Sequence, residues 1–474
     1  MKRTACILGG CLIGIWLSCT TASAFNFEFH GKMWQTVGIT DNSGVLQGAL
    51  KSGGTNYFGY SDTAGKEYLN ITGATGEGAY KFMDNDISTN FGLTKARLRF
   101  EGKTDDDRAK FVYGLEVGTA NWGEADKGMG LSGDGINQET QFAYAEIQIP
   151  ALDKNQKLRA GLQSTGINEW LWSETAAGLT YLGKAGGGTS WMLGWFRGDE
   201  DRAGNSSDND YFALKLDQKL TKSVTLGLFG VYADVGQEKT TALVDYDAFT
   251  TGPAAVYNDD TYYVGLTGKG KSGPFFGNFD FIYQGGDIEF ETRGYNDLDH
   301  SAWLGNLTFG YQFSENFKLY ANALYVSGDD DASDDKAKNF KSIDVDVKVG
   351  IILTKDSLLA ECDRFVTDSP YLMDKGLINY ALTGEYQLSP EHNFRAAARY
   401  LQTAEDLDGY AAAADNEIGT EFDFWYAYTY NKHVSLLMEA AYLIAGDGAD
   451  QLTDNVHDGA NDVYTMAAGI TFSF

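Results

Sequence analysis

From Phe25 onward, apolar and polar positions alternate with a period of two. Phe25, Phe27, Phe29 and Met33 alternate with Asn26, Glu28, His30 and Lys32. Farther along, Trp303, Leu307, Phe309, Tyr311 and Phe313 alternate with Asn306, Thr308 and Gln312. Phe422, Phe424, Tyr426, Tyr428 and Tyr430 do the same with Glu421, Asp423 and Thr429. Successive side chains of a strand point to opposite faces, so this pattern predicts strands with one apolar and one polar face. The last strand, Tyr464–Phe474, sets Tyr464, Met466, Ala468, Ile470, Phe472 and Phe474 against Thr465, Ala467, Gly469, Thr471 and Ser473. No stretch beyond residue 24 approaches the roughly 18 apolar residues of a transmembrane helix, so crossing a membrane requires a barrel.

The connections alternate in length. Short ones are expected at Thr104–Asp107, Pro150–Gln156, Ala185–Gly188, Thr221–Ser223, Gly270–Pro274, Ser314–Asn316, Lys355–Asp356, Ser389–His392 and Asn431–Lys432. Long polar ones are expected at Thr40–Ser88, Thr119–Gln138, Gly236–Asp259, Gly328–Lys341, Ala404–Asn416 and Gly446–Asn461. Short periplasmic turns opposite long external loops are the asymmetry of outer-membrane barrels. The expected fold is therefore all-β, a transmembrane antiparallel barrel with an even strand number in the range 16–20, by count about twenty. Both termini fall on the periplasmic side. Tyr426, Tyr428 and Tyr430, beside the turn at Asn431–Lys432, mark an aromatic girdle.

Composition agrees with this and adds the compartment. The chain has 57 glycines, five prolines and 14% aromatic residues. Lys2 and Arg3 precede an apolar run from Ala5 to Leu17, and Ala22-Ser23-Ala24 is a small-residue cleavage pattern. Residues 1–24 read as a signal peptide and 25–474 as one barrel domain. Lipidation at Cys19 is the lesser reading, because Trp16 stands where a lipobox has Leu. Losing residues 1–24 removes Lys2 and Arg3 and no acidic residue, leaving 35 Lys+Arg against 66 Asp+Glu, a net charge of −31. Nucleic acid is not an expected partner. Only Cys362 survives cleavage, which excludes an intrachain disulfide and any cysteine-based metal or haem motif. No cofactor and no metal is expected.

The candidate chemistry lies in charged strand faces. On Leu93–Phe100, Lys95, Arg97 and Arg99 share one face; against lipid each would cost about 2–4 kcal/mol at the bilayer midplane, so that face points into the lumen. Lys157 and Arg159 add to this basic wall, and Arg395 and Arg399 form a further lumen-facing pair. The following loop, Thr165–Ala176, carries Glu169, Trp170, Trp172 and Glu174. The acidic run Asp329–Asp331 with Asp334 and Asp335 suits either a divalent cation near lipopolysaccharide or a solvated loop tip.

At these residues the chain resembles bacterial outer-membrane porins. It is most similar to the homotrimeric porins of sulfate-reducing and related bacteria, through Glu116-Val117-Gly118, Asn121-Trp122-Gly123, Ala143–Pro150 and Lys157–Ser164 before Ala177-Gly178-Leu179. The resemblance implies a trimer in which the third external loop folds inward and sets Glu169 and Glu174 across from Lys95, Arg97, Arg99 and Arg159. It also implies that terminal Phe472 and Phe474 are read by the barrel-insertion machinery. The implied function is passive diffusion of ions and small hydrophilic solutes past a charged constriction. Three other classes remain open, one of them an adhesin or purely structural barrel without conductance. A sugar-selective channel would use Trp170 and Trp172 as a stacking platform. An outer-membrane hydrolase would need His300 or His457, the two histidines near external strand ends, and neither sits in a nucleophile motif.

Overall fold

The computed structural model describes residues 25–41, 89–133, 135, 137–149, 152, 155–199, 208–239, 244–245, 250–251, 256–290, 296–331, 334–354, 356–359, 367, 369–372, 374–407, 414–452 and 461–474. The signal segment 1–24, most of the Thr40–Ser88 loop, Cys362 and His457 lie outside them. Eighteen long strands form one closed antiparallel barrel. It begins with β1 (Phe25–Asp41), β2 (Thr89–Thr104), β3 (Ala109–Asn121), β4 (Gln138–Gln148), β5 (Lys157–Ser164) and β6 (Thr175–Ala185). It continues through β7 (Thr189–Asp199), β8 (Asn209–Lys219), β9 (Val224–Lys239), β10 (Val256–Ser272), β11 (Phe275–Phe290) and β12 (Leu298–Gln312). β13 (Phe317–Val326), β14 (Leu377–Gln387), β15 (His392–Leu407), β16 (Asp415–Asn431), β17 (Val434–Ala445) and β18 (Val463–Ser473) complete the wall.

Closure runs from Lys32 opposite Ser473 to Asp41 opposite Tyr464. Gly31 and Phe474 then exchange backbone hydrogen bonds of 2.9 and 3.0 Å. A closed ladder leaves no edge, the condition for a sheet to stand in hydrocarbon. The Phe474 ring lies 5.4 Å from Phe29 and directly over Gly31, where a β-carbon would come within 2.2 Å of it. Only glycine admits the ring there. Deleting Phe474 is expected to lower the amount of folded barrel recovered from outer membranes more than it alters the conductance of what does assemble. Wild-type levels of the truncated protein would count against an insertion role for this residue.

Odd-numbered strands end at one rim, where the longest connections start, while the even-numbered strands end at the other together with both ends of the barrel. The outer face carries the apolar half of each alternation: Phe27, Phe29, Leu214, Leu228, Phe309, Leu382, Phe422 and Phe424 are all exposed. Among the described residues no helix is long and apolar enough to cross a membrane.

The count of about twenty strands overshoots by one hairpin. Residues 342–354 and Asp356 of the turn expected at Lys355–Asp356 are not in the wall, Lys355 itself lying outside the described residues; they belong to the connection between β13 and β14 and lie inside the barrel. The reason is visible in the side chains. Val345, Val347 and Val349 alternate with Asp344, Asp346 and Lys348 as in a wall strand, but the valines pack on the barrel's inner face instead of meeting lipid. That inner face is itself apolar there, with Val231, Ile282, Leu304, Leu324, Val326 and Leu401 fully or almost fully buried. Burying each such side chain contributes roughly 1.5–3 kcal/mol, and a water-filled lumen would forgo it.

Candidate functional site

Two external loops enter the lumen: the third, L3 (165–174), and the seventh, L7 (327–376). L3 is short and closed on itself. Thr165 N–H and Oγ1 both donate to the Glu174 carbonyl at 2.9 Å, and the Asn168 side chain accepts from Trp170 N–H at 2.9 Å, an Asx-type turn. Its tip is pinned to β11, where Asp280 accepts from Asn168 Nδ2 at 2.8 Å and from Trp170 Nε1 at 3.2 Å. Trp172 packs edge-on to Phe196 and against Tyr211, each ring centroid 5.0 Å away. Both tryptophans are buried in these contacts, Trp170 at 8% and Trp172 at 3% exposure. They fasten the loop to the wall, Trp172 between two rings and Trp170 through its indole N–H.

L7 is held at both ends of its inward run. At the start, Ile343 N–H donates to the Leu171 carbonyl at 2.8 Å, Ser173 N–H to the Asp344 carbonyl at 3.0 Å, and Ser342 Oγ to the Trp170 carbonyl at 2.7 Å. L3 and L7 are therefore one hydrogen-bonded unit. At the far end, Glu421 on β16 accepts from Ile352 and Leu353 N–H at 2.8 and 3.2 Å, and Glu439 on β17 accepts from Leu358 N–H at 3.1 Å. Gly350 is required by this clamp, since a β-carbon would sit 2.7 Å from a Glu421 oxygen. Arg399 bonds Asp423 at 2.7 Å and reaches Asp356 at 3.4 Å, while Arg395 bonds Asp356 at 2.7 Å and lies 3.6 Å over the Trp425 ring. Arg395 and Arg399 thus face inward and fix L7 to the wall.

The basic wall lies on β1–β5. Lys95 pairs with Glu116 at 2.6 Å, Arg97 pairs with the same carboxylate, and Arg99 pairs with Glu101 at 2.6 Å. Lys157 and Arg159 converge on Glu146 at 2.8 and 2.6 Å, with Lys110 at 3.8 Å. The carboxylates in contact with the basic wall thus come from the wall itself, on the same strand or the adjacent one. Sequence reasoning missed them because pairing depends on register: Arg97 stands opposite Glu116, and Glu146 opposite Arg159. Among the described residues, the inner face of β1–β5 carries eight Lys and Arg (Lys32, Lys95, Arg97, Arg99, Lys103, Lys110, Lys157, Arg159) against Glu28, Glu101, Glu116, Glu139 and Glu146, so it stays cationic.

What faces this wall is chiefly L7. Asp344 and Lys348 are exposed within the lumen, and Lys348 is close enough for its charge to act on both Lys32 of β1 and Glu169 of L3. Glu169 is exposed beside Asp280, Lys269 and Lys348, and Glu174 is half-buried where L3 enters β6. The sequence signal for L7 was present in the inward apolar positions of β9–β15, which need a cover.

Three remaining candidates are placed as follows. His300 is buried, with Nε2 3.0 Å from Asp259 and Nδ1 3.3 Å from Gln284, whose carbonyl accepts from Lys341 N–H at 2.8 Å. It anchors the approach to L7. The acidic run closes around Lys338, which bonds Asp330 at 2.9 Å and Asp334 at 2.8 Å, so a lysine ammonium occupies the charge that a cation would meet. Phe472, exposed on the outer face, stands opposite Met33 beside the Phe474 seal.

No protein-family model matches the chain, and no curated protein matches it. Among solved structures it is similar to Pseudomonas aeruginosa OccK8 (OprE), with 11% identity, a TM-score of 0.51 and coverage of 95% of this chain and 98% of that one. It is similar to P. aeruginosa OpdL at 10% identity and a TM-score of 0.51, covering 95% and 99%. Acinetobacter baumannii OccAB4 gives 11%, 0.50, and 94% and 98%. At such identities the likeness is one of fold. Together with the closed wall and its apolar outer belt, that fold is the β-barrel of the bacterial outer membrane.

Proposed function

We propose that the barrel is a water-filled channel through which ions and small hydrophilic solutes diffuse passively, narrowed between the cationic wall of β1–β5 and the inward unit of L3 and L7. The observation that carries this reading is the hydrogen-bonded pairing of the two loops inside the lumen, which leaves Glu169, Asp344 and Lys348 exposed there, Lys348 near enough for its charge to act on Lys32 of that wall. Fixed charges of both signs across a narrow passage orient water, so hydrated polar solutes pass more readily than apolar ones that would break that order. Passage involves no bond making. The resemblance to homotrimeric porins supports a trimer surrounded by outer-membrane lipid and lipopolysaccharide, inserted by machinery that reads Phe472 and Phe474.

Purified protein in planar bilayers is expected to give discrete conductance steps, closing in threes if the trimer is correct. Reversal potentials in a salt gradient then report which charge governs the passage. A folded, membrane-inserted protein without conductance overturns the channel reading and leaves a structural or adhesive barrel.

A further inference from the structure

Beneath L7, against the wall of β11–β15, lies an alcove of about 510 Å³. This is within the roughly 300–1,000 Å³ of small-molecule sites. Its lining has an unusual charge arrangement. Four carboxylates, Glu169, Asp346, Asp356 and Glu385, meet four cations, Lys318, Lys348, Arg395 and Arg399. Most of these already hold one another: Lys318 bonds Glu385 at 2.8 Å, and Arg395 and Arg399 reach Asp356 at 2.7 and 3.4 Å. A bound solute need bring no net charge.

What remains is amide, hydroxyl and aromatic surface. Asn306, Asn322 and Asn379 form a relay, with Asn322 Nδ2 donating to Asn306 Oδ1 at 2.8 Å and Asn379 Nδ2 to Asn322 Oδ1 at 3.0 Å. Asn278, Thr308 and Thr383 stand beside it with the rings of Phe276 and Tyr320, whose centroids are 6.1 Å apart. Rings beside convergent amide and hydroxyl groups match a solute with C–H faces and many hydroxyls, and Lys318 Nζ, 5.9 and 5.8 Å from the two ring centroids, shares that surface.

We propose that this alcove is a weak binding site for neutral sugars of one or two rings, seated on Phe276 and Tyr320 and hydrogen-bonded by Asn278, Asn322 and Thr383. The inference rests on the channel reading and supplies a solute class for it. Trp170 also lines the alcove, tied to Asp280 through its indole N–H and 8% exposed, whereas Trp172 does not line it, so the platform assigned here is Phe276 and Tyr320.

The test is current recording with maltose or sucrose added to one side, scored as the fractional block beyond the fall in bulk conductivity. Saturable block at millimolar sugar is expected, with little from alanine or gluconate at equal concentration. Asn278→Leu together with Thr383→Val removes two of the hydrogen bonds and is expected to raise the half-blocking concentration about tenfold. If the double variant fails to insert, Asn278→Leu alone carries the test with a threefold or larger shift expected. A channel that conducts but shows no saturable block, or that is blocked better by alanine or gluconate, overturns the sugar site and leaves the channel standing. Absence of any conductance overturns the channel reading itself.

Discussion

Excising residues 343–353, with Ser342 joined to Thr354 through a short glycine-serine bridge, raises the single-channel conductance several-fold. The eleven residues run through the lumen and carry Asp344 and Lys348, both exposed there, with Lys348 acting on Lys32 of the basic wall. An eighteen-stranded barrel without such a filling encloses an aqueous channel, so the wall itself does not limit the current. Excision also uncovers Val231, Ile282, Leu304 and Leu324, each with an expected loss of roughly 1.5–3 kcal/mol, so the melting temperature falls in the same variant. A milder version is Arg399→Met, which leaves Asp423 and Asp356 without their shared cation; removing one partner of a buried pair costs about 3–5 kcal/mol. That variant is expected to keep its mean conductance and to flicker. Wild-type conductance after the excision would show that L7 does not set the narrow passage.

Replacing Arg97 and Arg99 together by glutamine moves the reversal potential toward cation selectivity. Each arginine now compensates a glutamate of the wall, Glu116 or Glu101, so neutralising the pair exposes carboxylates that were balanced before. A unit charge at 4 Å in water is worth about 1 kcal/mol, roughly a fivefold change in local ion concentration, so the permeability ratio is expected to change several-fold. Glu169→Gln with Glu174→Gln shifts it the other way, toward anions, by less, because the cations of β1–β5 keep their wall carboxylates. Both shifts should vanish near 1 M salt, where the screening length is about 3 Å. Unchanged reversal potentials in both double variants at low salt place these side chains away from the path of the ions.

The barrel was legible because every wall strand obeys one rule, and the rule also orients side chains. Lys95, Arg97 and Arg99 cannot alternate with Ala96, Leu98 and Phe100 in lipid without turning inward, and inward is where they are. The terminal strand and its aromatic end were readable for the same reason. L7 was not, because a period of two states that a segment has an apolar face without stating what covers it. Val345, Val347 and Val349 would look identical against lipid or against Leu304 and Leu324. Glu116 and Glu146 were invisible as partners of the basic wall because each is one inward carboxylate among many until strand register is known. Glu421 and Asp423 stand in an alternation that sequence reading assigned correctly to strand faces; their role as clamps needed the backbone of L7 beside them.

The hydrogen bond between Ser342 and the Trp170 carbonyl joins positions 172 residues apart. It therefore sets an order of events. The contact cannot exist until β6 through β13 have been laid down, and the clamps at Glu421 and Glu439 wait for β16 and β17 as well. Contacts of such separation form late, after the loop-closure entropy has been met by the pairing of adjacent strands. The L3–L7 unit can therefore be complete only once β16 and β17 stand in the wall, so the narrow passage and the closed cylinder are both products of the last strands.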